Sequence, residues 1–170
     1  MRWIVAVEGG ASHTRAALYT PEGVEVKHAA GGPANPVEYG GASCVLQVAA
    51  LLRELAAEPV AVLAAGLSGS SREPVRAALA RGLAECCAAE RVLVADDLRP
   101  TLFANARSGP AVAVIAGTGA SILAQGPAGE AAAGGRGRLF GEEGSAYAIA
   151  EAGLRAAARA ADGAGPATCL

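Results

Sequence analysis

The segment Val5–Arg15 reads VAVEGGASHTR and decides the fold. An apolar, β-branched run at Trp3–Val7 enters a pair of glycines, and a second apolar run, Thr14–Tyr19, comes at once after them. Two such runs around glycines predict antiparallel strands joined by a tight hairpin. After a Pro-Glu-Gly turn, Val24–His28 alternates apolar and polar residues. The chain is therefore expected to begin with three antiparallel strands.

Helical and strand-like stretches alternate downstream of this start. The expected helices cover Ala42–Ala57, Glu73–Ala88 with Ser70 and Ser71 as its cap, Leu98–Ala106 and about Ser145–Ala161. The expected strands cover Val60–Ala65, Arg91–Ala95, Ala111–Ala116 and Ser121–Gln125. A hairpin start with right-handed parallel crossovers after it fits an α/β, ribonuclease H-like domain, with a mixed five-stranded sheet flanked by helices.

A soft stretch at residues 126–137 is crowded with Gly, Pro and Ala and suits a hinge between domains. We therefore expect an N-terminal domain over residues 1–125, and the hinge with the first helix of a second domain over residues 126–170. A chain of 170 residues can bury one good core and a piece of another. The chain is expected to stop before most of that second domain.

Charge and composition exclude several classes of protein. A formal net charge of −2 with scattered arginines gives no nucleic-acid footprint. Lys27 is the single lysine and comes after no Gly-rich loop, which argues against a P-loop enzyme or a protein kinase. The four cysteines lack C-x-x-C spacing, which argues against a metal site or a disulfide framework. No apolar run has the length of a signal-peptide core or a membrane span. No membrane association and a cytoplasmic location are expected.

The glycines of the first hairpin allow main-chain amides to face an anion without obstruction by side chains. Glu8 stands at the strand end beside those amides and would repel a phosphate unless a cation lay between them. Its expected role is to hold Mg²⁺, directly or through water. An ordinary Gly-rich hairpin is the alternative interpretation.

Asp96 and Asp97 come directly after an apolar strand, where ligands bind in open α/β sheets. One of the two carboxylates is well placed to accept a proton. In the alternative interpretation, Asp96 caps the next short helix and Asp97 lies in its first turn, where the helix dipole favours acids.

Two further Gly-rich segments occur later in the chain. Val114–Ser121, VIAGTGAS, repeats the pattern of the first hairpin, so two such turns on one sheet could grip a polyphosphate from two sides. Two unrelated turns are the alternative. Gly134–Ala150, GGRGRLFGEEGSAYAIA, combines glycines and acids with Ser145, which can cap the next helix. For Gly134–Arg138 a plain exposed linker is the alternative.

These motifs in this order resemble the N-acetylglucosamine kinases and the BadF/BadG/BcrA/BcrD ATPases of the actin-like ATPase superfamily, over nearly the whole chain. The resemblance rests on VEGGASHTR, GPANP, AGLSGS, ADD, IAGTGAS and GGRGRLFGEEGSAYAIA. It implies an ATP-dependent, Mg²⁺-assisted sugar kinase that transfers a phosphoryl group in line to a sugar hydroxyl. A small-molecule sugar is the implied partner, and a homodimer is a candidate assembly.

The resemblance also implies a role for individual residues. Asp97 would be the general base for the sugar hydroxyl. The implied nucleotide-binding residues are Gly9, Gly10, Ala11, Ser12, His13 and Thr14 in the first loop and Gly117, Thr118 and Gly119 in the second. The implied sugar-binding residues are Asn35, Ser68, Thr118 and Glu142.

Departures from the family pattern leave the sugar open. The usual GDEGS is GEEGS around Glu142, Arg136 replaces a frequent Trp, and Ala120–Ser121 stand where Ser-Asn is common. Two other functions also stay open. One is an ATPase activator of a CoA-ester reductase or dehydratase, which needs iron–sulfur cysteines where this chain has Ala and Ile. The other is a sugar-binding sensor domain without catalysis.

The purified 170-residue chain is expected to bind ATP weakly and to phosphorylate little, since the second domain would supply most adenosine contacts. A coupled assay of sugar-dependent ADP release measures this directly. Turnover near the usual kinase range of about 1–100 s⁻¹ would contradict the expectation.

Overall fold

The computed structural model describes residues 2–56, 59–106 and 108–170. The chain divides into two compact units, Met1–Thr101 and Leu102–Leu170. Most of the strands and helices of both units lie in segments that the sequence predicts, and α1 and β8 are the exceptions. The domain division expected at residue 125 remains a prediction.

A mixed five-stranded sheet forms the first unit. Its strands are β1 (Ile4–Gly9), β2 (Thr14–Tyr19), β3 (Glu25–Gly31), β4 (Val60–Leu67) and β5 (Ala89–Ala95). Their order is β3-β2-β1-β4-β5. β1, β2 and β3 pair antiparallel, whereas β4 and β5 continue from β1 in parallel. The predicted α/β class, the hairpin start and the five-stranded mixed sheet are confirmed.

The helices of this part of the chain are α1 (Pro36–Tyr39), α2 (Gly41–Leu55), α3 (Glu73–Cys86) and α4 (Leu98–Asn105). The short helix α1 has no counterpart among the expected helices. The predicted cap of α3 by Ser70 and Ser71 is wrong, because Arg72 is the N-cap residue and no side chain caps the helix. Ser70 instead turns its hydroxyl toward strand carbonyls. The expected end of α2 at Ala57 lies outside the described residues.

One buried cluster holds the first unit together. Val5 and Leu63 of the central strands are fully buried in it with Val48 of α2 and Leu83 of α3. Alternate residues of β1 are buried and exposed, as a strand with one covered face requires. Each fully buried aliphatic side chain contributes about 1.5–3 kcal/mol of transfer free energy. The sheet edge that carries the functional loops is therefore fixed by a packed core.

The second unit contains an antiparallel sheet, β6-β7-β8, and one long helix. Its elements are β6 (Ala111–Ala116), β7 (Ala120–Gly126), β8 (Gly129–Gly134) and α5 (Ala146–Ala161). β8 forms a strand within the stretch that was expected to be an irregular Gly-rich loop, whereas a hinge between domains at residues 126–137 stays a prediction. Backbone pairing with β7 forms a strand there from Gly, Glu and Ala. None of the helices in the described ranges has the length and hydropathy that crossing a bilayer requires.

Replacing the buried Leu63 by Ala should lower the free energy of unfolding by about 2–5 kcal/mol, because a cavity opens between sheet and helices. Leu46 of α2 is 63% exposed, and the same replacement there should cost less than about 1 kcal/mol. Urea unfolding of the two variants measures the difference. Equal losses would show that Leu63 does not lie in the core.

Candidate active site

The carboxyl ends of three strands meet at one edge of the five-stranded sheet, because β1, β4 and β5 run parallel. Glu8 lies opposite Gly66 of β4, and Gly66 lies opposite Ala95 of β5. Neighbouring strands are about 4.8 Å apart, so the main chains at Glu8 and Ala95 are roughly 10 Å apart. The first Gly-rich loop and the Asp96–Asp97 pair therefore leave the same edge. This is the edge at which open α/β sheets bind ligands.

The β1–β2 loop presents free main-chain donors. The Gly10 amide donates to the His13 carbonyl at 3.0 Å and closes the turn. The amides of Ala11 and His13 form no hydrogen bond with any described residue. The Tyr39 hydroxyl of α1 donates to the Ala11 carbonyl at 3.1 Å and braces the loop from outside. Unpaired amides beside a fixed turn can receive an anion.

Two buried residues shape this loop. A Cβ on Gly9 would lie 2.7 Å from Cδ2 of Leu67 and 3.0 Å from Cβ of Ala34, so only glycine fits. The Thr14 side chain is fully buried, and its hydroxyl donates to the Gly32 carbonyl at 2.7 Å. Thr14 thus stabilises the loop from its buried side, whereas Ser12 and His13 are exposed to solvent.

The turn after β4, Leu67–Ser70, lies between the other parts of the site. The Ser68 amide donates to the Gly9 carbonyl at 2.8 Å, which joins the turn to the end of β1. Gly69 has a positive φ of 79°, and a Cβ there would lie 2.4 Å from Oδ1 of Asn35. The turn therefore contacts both the first loop and the segment that carries Asn35.

Asn35 is the N-cap residue of α1 and is nearly buried. Its Oδ1 accepts hydrogen bonds from the amides of Val37 at 2.9 Å and Glu38 at 3.4 Å. Its Nδ2 donates to no described residue, and this nitrogen keeps some solvent exposure. The side-chain amide therefore has its oxygen committed to the helix and its two N–H donors available to a ligand.

The two adjacent aspartates have different environments. Oδ1 of Asp96 accepts the Arg99 amide at 3.1 Å, and its Oδ2 pairs with the Arg99 guanidinium at 3.2 Å. Asp96 thus caps the start of α4, in agreement with the alternative interpretation of this residue. Asp97 is half-buried, and this burial is the main reason that its pKa is raised.

Hydrogen bonds oppose part of that shift. Donors from the Ser68 hydroxyl, the Asp97 amide and the Leu98 amide stabilise the ionised carboxylate, while the charge of Asp96 disfavours it. Desolvation prevails, and the net pKa of Asp97 stays above its ordinary value. A carboxylate whose pKa moves toward neutrality is a better proton acceptor than an ordinary one.

The second Gly-rich loop lies in the second unit, between β6 and β7. The Gly117 amide donates to the Gly119 carbonyl at 2.9 Å, and the Gly117 carbonyl accepts the Ala146 amide at 2.8 Å. A Cβ on Gly119 would lie 2.9 Å from Oε1 of Glu142, so the Glu142 carboxylate lies directly against this loop. The structure thus brings Gly117–Gly119 and Glu142 together. That this loop and the first grip one triphosphate remains a prediction.

The sequence profile of the BadF/BadG/BcrA/BcrD ATPase family matches residues 5–169. The chain belongs to this ATPase family. The predicted resemblance is therefore confirmed, and it covers both Gly-rich loops and the Asp96–Asp97 pair. No curated protein matches the chain significantly by sequence.

Several solved structures share the fold of this chain. A candidate N-acetylglucosamine kinase of Chromobacterium violaceum is 26% identical with a TM-score of 0.81, over 99% of this chain and 61% of its own. A candidate N-acetylglucosamine kinase of Porphyromonas gingivalis is 18% identical with a TM-score of 0.68, over 98% and 59%. The polyphosphate/ATP-glucomannokinase of an Arthrobacter strain is 16% identical with a TM-score of 0.61, over 90% and 72%. The chain thus spans about three fifths of the first two proteins.

Sequence reasoning missed two contributors to the site of this ATPase family member, Ser70 and Tyr39. Tyr39 belongs to a four-residue helix that has no periodic signal to find. Ser70 is in the AGLSGS motif, but a serine just before a helix favours a cap over a contact with a distant strand.

The matched variants Asp97→Asn and Asp96→Asn should change stability in opposite directions at about pH 7. Because the pKa of Asp97 is higher in the folded than in the unfolded state, Asp97 does not destabilise the fold at pH values below its ordinary pKa. As the pH rises through the raised pKa, the half-buried carboxyl ionises and the fold loses stability. Neutral Asn at position 97 should therefore stabilise the fold near pH 7, whereas Asn at position 96 weakens the pair with Arg99.

Urea unfolding of wild type and both variants at about pH 7 and about pH 4 measures these differences. The gain from Asp97→Asn should shrink at the lower pH, where Asp97 of the wild type takes up its proton. A loss of stability from Asp97→Asn that is the same at both pH values would contradict the raised pKa.

Proposed function

We propose that this chain is part of a sugar kinase that transfers a phosphoryl group from Mg-ATP to a hydroxyl of N-acetylglucosamine or a related hexose. The observation that carries the proposal is the half-buried Asp97 with its raised pKa, at the sheet edge that also carries the free amides of Ala11 and His13. Family membership and the 26% identical candidate N-acetylglucosamine kinase support it.

Asp97 is the proposed general base. Its carboxylate would accept the proton of the attacking sugar hydroxyl as the bond to phosphorus forms. Ser68, in the neighbouring turn, would help to favour the ionised form of this carboxylate. General-base assistance of this kind is worth about 10²–10⁴-fold in rate.

The first loop is the proposed phosphate site. The Ala11 and His13 amides would donate to phosphate oxygens, and the loop is held in place by Tyr39 before any ligand arrives. Such preformed donors stabilise the charge of the phosphoryl group without reorganisation.

The side chains fit a nucleotide-bound Mg²⁺ with Glu8 as its protein ligand. Glu8 is an exposed carboxylate at the end of β1, and the described residues contain no group of three or more His, Cys, Asp or Glu side chains that could hold a metal alone. Mg²⁺ usually takes one or two carboxylates and fills its other positions with water and phosphate oxygens. When bound it would neutralise charge on the phosphates.

Asn35 and Ser68 are the proposed sugar contacts of the first unit. Since Oδ1 of Asn35 is bonded to α1, only its Nδ2 donors are free for a ligand. Asn35 would therefore recognise an acceptor oxygen, either a sugar hydroxyl or the acetamido carbonyl. Thr118 and Glu142 are proposed as further sugar-binding residues, on the basis of the family resemblance.

The cysteines favour a kinase over an iron–sulfur ATPase activator. Burial raises the pKa of the Cys44 thiol to about 11 and also raises that of Cys87, which disfavours the thiolates that bind iron. The exposed cysteines, Cys86 and Cys169, belong to different units. A cytoplasmic location and a homodimeric assembly are part of the same proposal.

Sugar binding tests the proposal through two variants of Asn35. Asn35→Asp keeps the oxygen that caps α1 and removes both N–H donors, whereas Asn35→Ala removes cap and donors together. Both should weaken binding of N-acetylglucosamine by about tenfold or more, equal to about 1.4 kcal/mol. Only Asn35→Ala should also lower stability, by about 1 kcal/mol.

Calorimetric titration of N-acetylglucosamine and glucose, with and without Mg-ATP, measures the affinities, and urea unfolding measures stability. If Asn35→Asp bound sugar as tightly as the wild type, the Asn35 contact would be wrong. If the unaltered chain bound neither sugar, the proposed function would fail.

A further inference from the structure

Ser70 carries a buried hydroxyl that the proposed reaction does not use. The residue is fully buried, and its Oγ lies 2.7 Å from the Leu67 carbonyl and 3.0 Å from the Ala95 carbonyl. Leu67 is the last residue of β4, and Ala95 is the last residue of β5. The hydroxyl therefore joins the ends of two neighbouring strands, although Ser70 and Ala95 are 25 residues apart in sequence.

This contact lies at the last paired residue of β5, Ala95, and reaches it from beyond the end of β4. The register of β4 and β5 ends at Gly66 opposite Ala95. Past that pair, neighbouring strands normally diverge and their carbonyls lose their ladder partners. A serine hydroxyl has one proton, and here it is shared between two carbonyl oxygens in a three-centre bond. Ser70 thereby continues the link between β4 and β5 where the ladder stops.

Ser70 is itself held from the helix side. The guanidinium of Arg76 in α3 donates to the Ser70 carbonyl at 3.1 Å and also to the Ser71 carbonyl. The Ser70 amide donates back to the Leu67 carbonyl at 3.2 Å. The serine is thus fixed by its own turn and by α3, so its hydroxyl can hold the end of β5 at a set distance.

The link made by the Ser70 hydroxyl matters because residues of the proposed site come just after the two strand ends. Ser68 comes directly after β4, and Asp97 comes two residues after the end of β5. Ser68 is among the groups that lower the pKa of the Asp97 carboxyl and so favour its ionised form. Any separation of the β4 and β5 ends would move the turn that carries Ser68 away from the segment that carries Asp97.

We propose that Ser70 is a positioning residue for Asp97, whose hydroxyl holds the end of β5, two residues before Asp97, against the turn after β4 that carries Ser68. The role of Asp97 as base rests on the proposed function, whereas the geometric link from Ser70 to Asp97 does not. Ser70 touches neither sugar nor phosphate in this role. It acts through Ser68 and Asp97.

Ser70→Ala tests the proposal against Val48→Ala, a core variant in α2 whose side chain is fully buried and apolar. Both variants should lower stability. Only Ser70→Ala should raise the pKa of Asp97 further, because the influence of Ser68 that favours its ionised form is weakened. NMR titration of the ¹³C-labelled Asp97 carboxyl measures that pKa, and Asp96 in the same spectrum serves as an internal reference.

Ser70→Ala should also weaken sugar binding by about tenfold, while Val48→Ala should leave it within about twofold. An unchanged pKa of Asp97 in a folded Ser70→Ala variant would overturn the proposal, whether or not the chain binds sugar. A raised pKa in a chain that binds no sugar would support the positioning role and contradict the proposed function. The two failures are therefore distinguishable.

Ser70→Cys covers the case in which the alanine variant does not fold, because a thiol keeps the volume and is a much weaker donor. It should raise the pKa of Asp97 in the same direction. In the unaltered protein, the Ser70 hydroxyl proton should exchange slowly enough to be observed by NMR at low temperature. A hydroxyl proton in rapid exchange with water would show that the link is absent and would overturn the proposal.

Discussion

The turn Leu67–Ser70 is the constraint on which the rest of the first unit's site depends. Its Ser68 amide is bonded to the Gly9 carbonyl of β1, and its Ser70 hydroxyl is bonded to the Ala95 carbonyl of β5. This short turn thus joins three strand ends that are far apart in sequence. Because every one of these contacts involves main-chain atoms, the loops that leave this edge start from fixed positions. Main-chain groups at this edge are therefore held in place before any ligand binds.

Close packing at this edge explains why glycine recurs there. Cβ atoms on Gly9, Gly66 and Gly69 would come within 3 Å of Leu67, Pro100 and Asn35 respectively. In each case the missing side chain leaves room for a neighbouring segment of the site to approach the main chain. Only Gly69 also requires a positive φ. The glycines of AGLSGS therefore serve contact between segments more than flexibility, and a Gly-rich motif here indicates a crowded site.

The sequence predicts most strands well, because short apolar β-branched runs between glycines or prolines rarely form any other secondary structure. The sequence predicts local structure less well where that structure depends on a contact with a residue far away in the chain. The Ser70 hydroxyl finds Ala95 across the sheet, so local rules misread it as a helix cap. β8 is made of Gly, Glu and Ala and exists because β7 offers a backbone edge. The six motifs that carry the family resemblance predict the residues of the site, whereas their hydrogen bonds required the structure.

The contrast between Asp96 and Asp97 shows how adjacent residues of one dipeptide can have opposite environments. Asp96 caps α4 and pairs with Arg99, so its charge is compensated where it stands. Asp97 is turned into a half-buried position, where desolvation and its neighbour's charge both oppose ionisation. A fold gains nothing at neutral pH from holding a carboxylate in this way, because its ionised form is destabilised. The placement makes sense if the carboxylate is needed as a base, since activity commonly retains groups that stability alone would discard. Adjacent acids with opposed environments are therefore stronger evidence for chemistry at this edge than either acid would be alone.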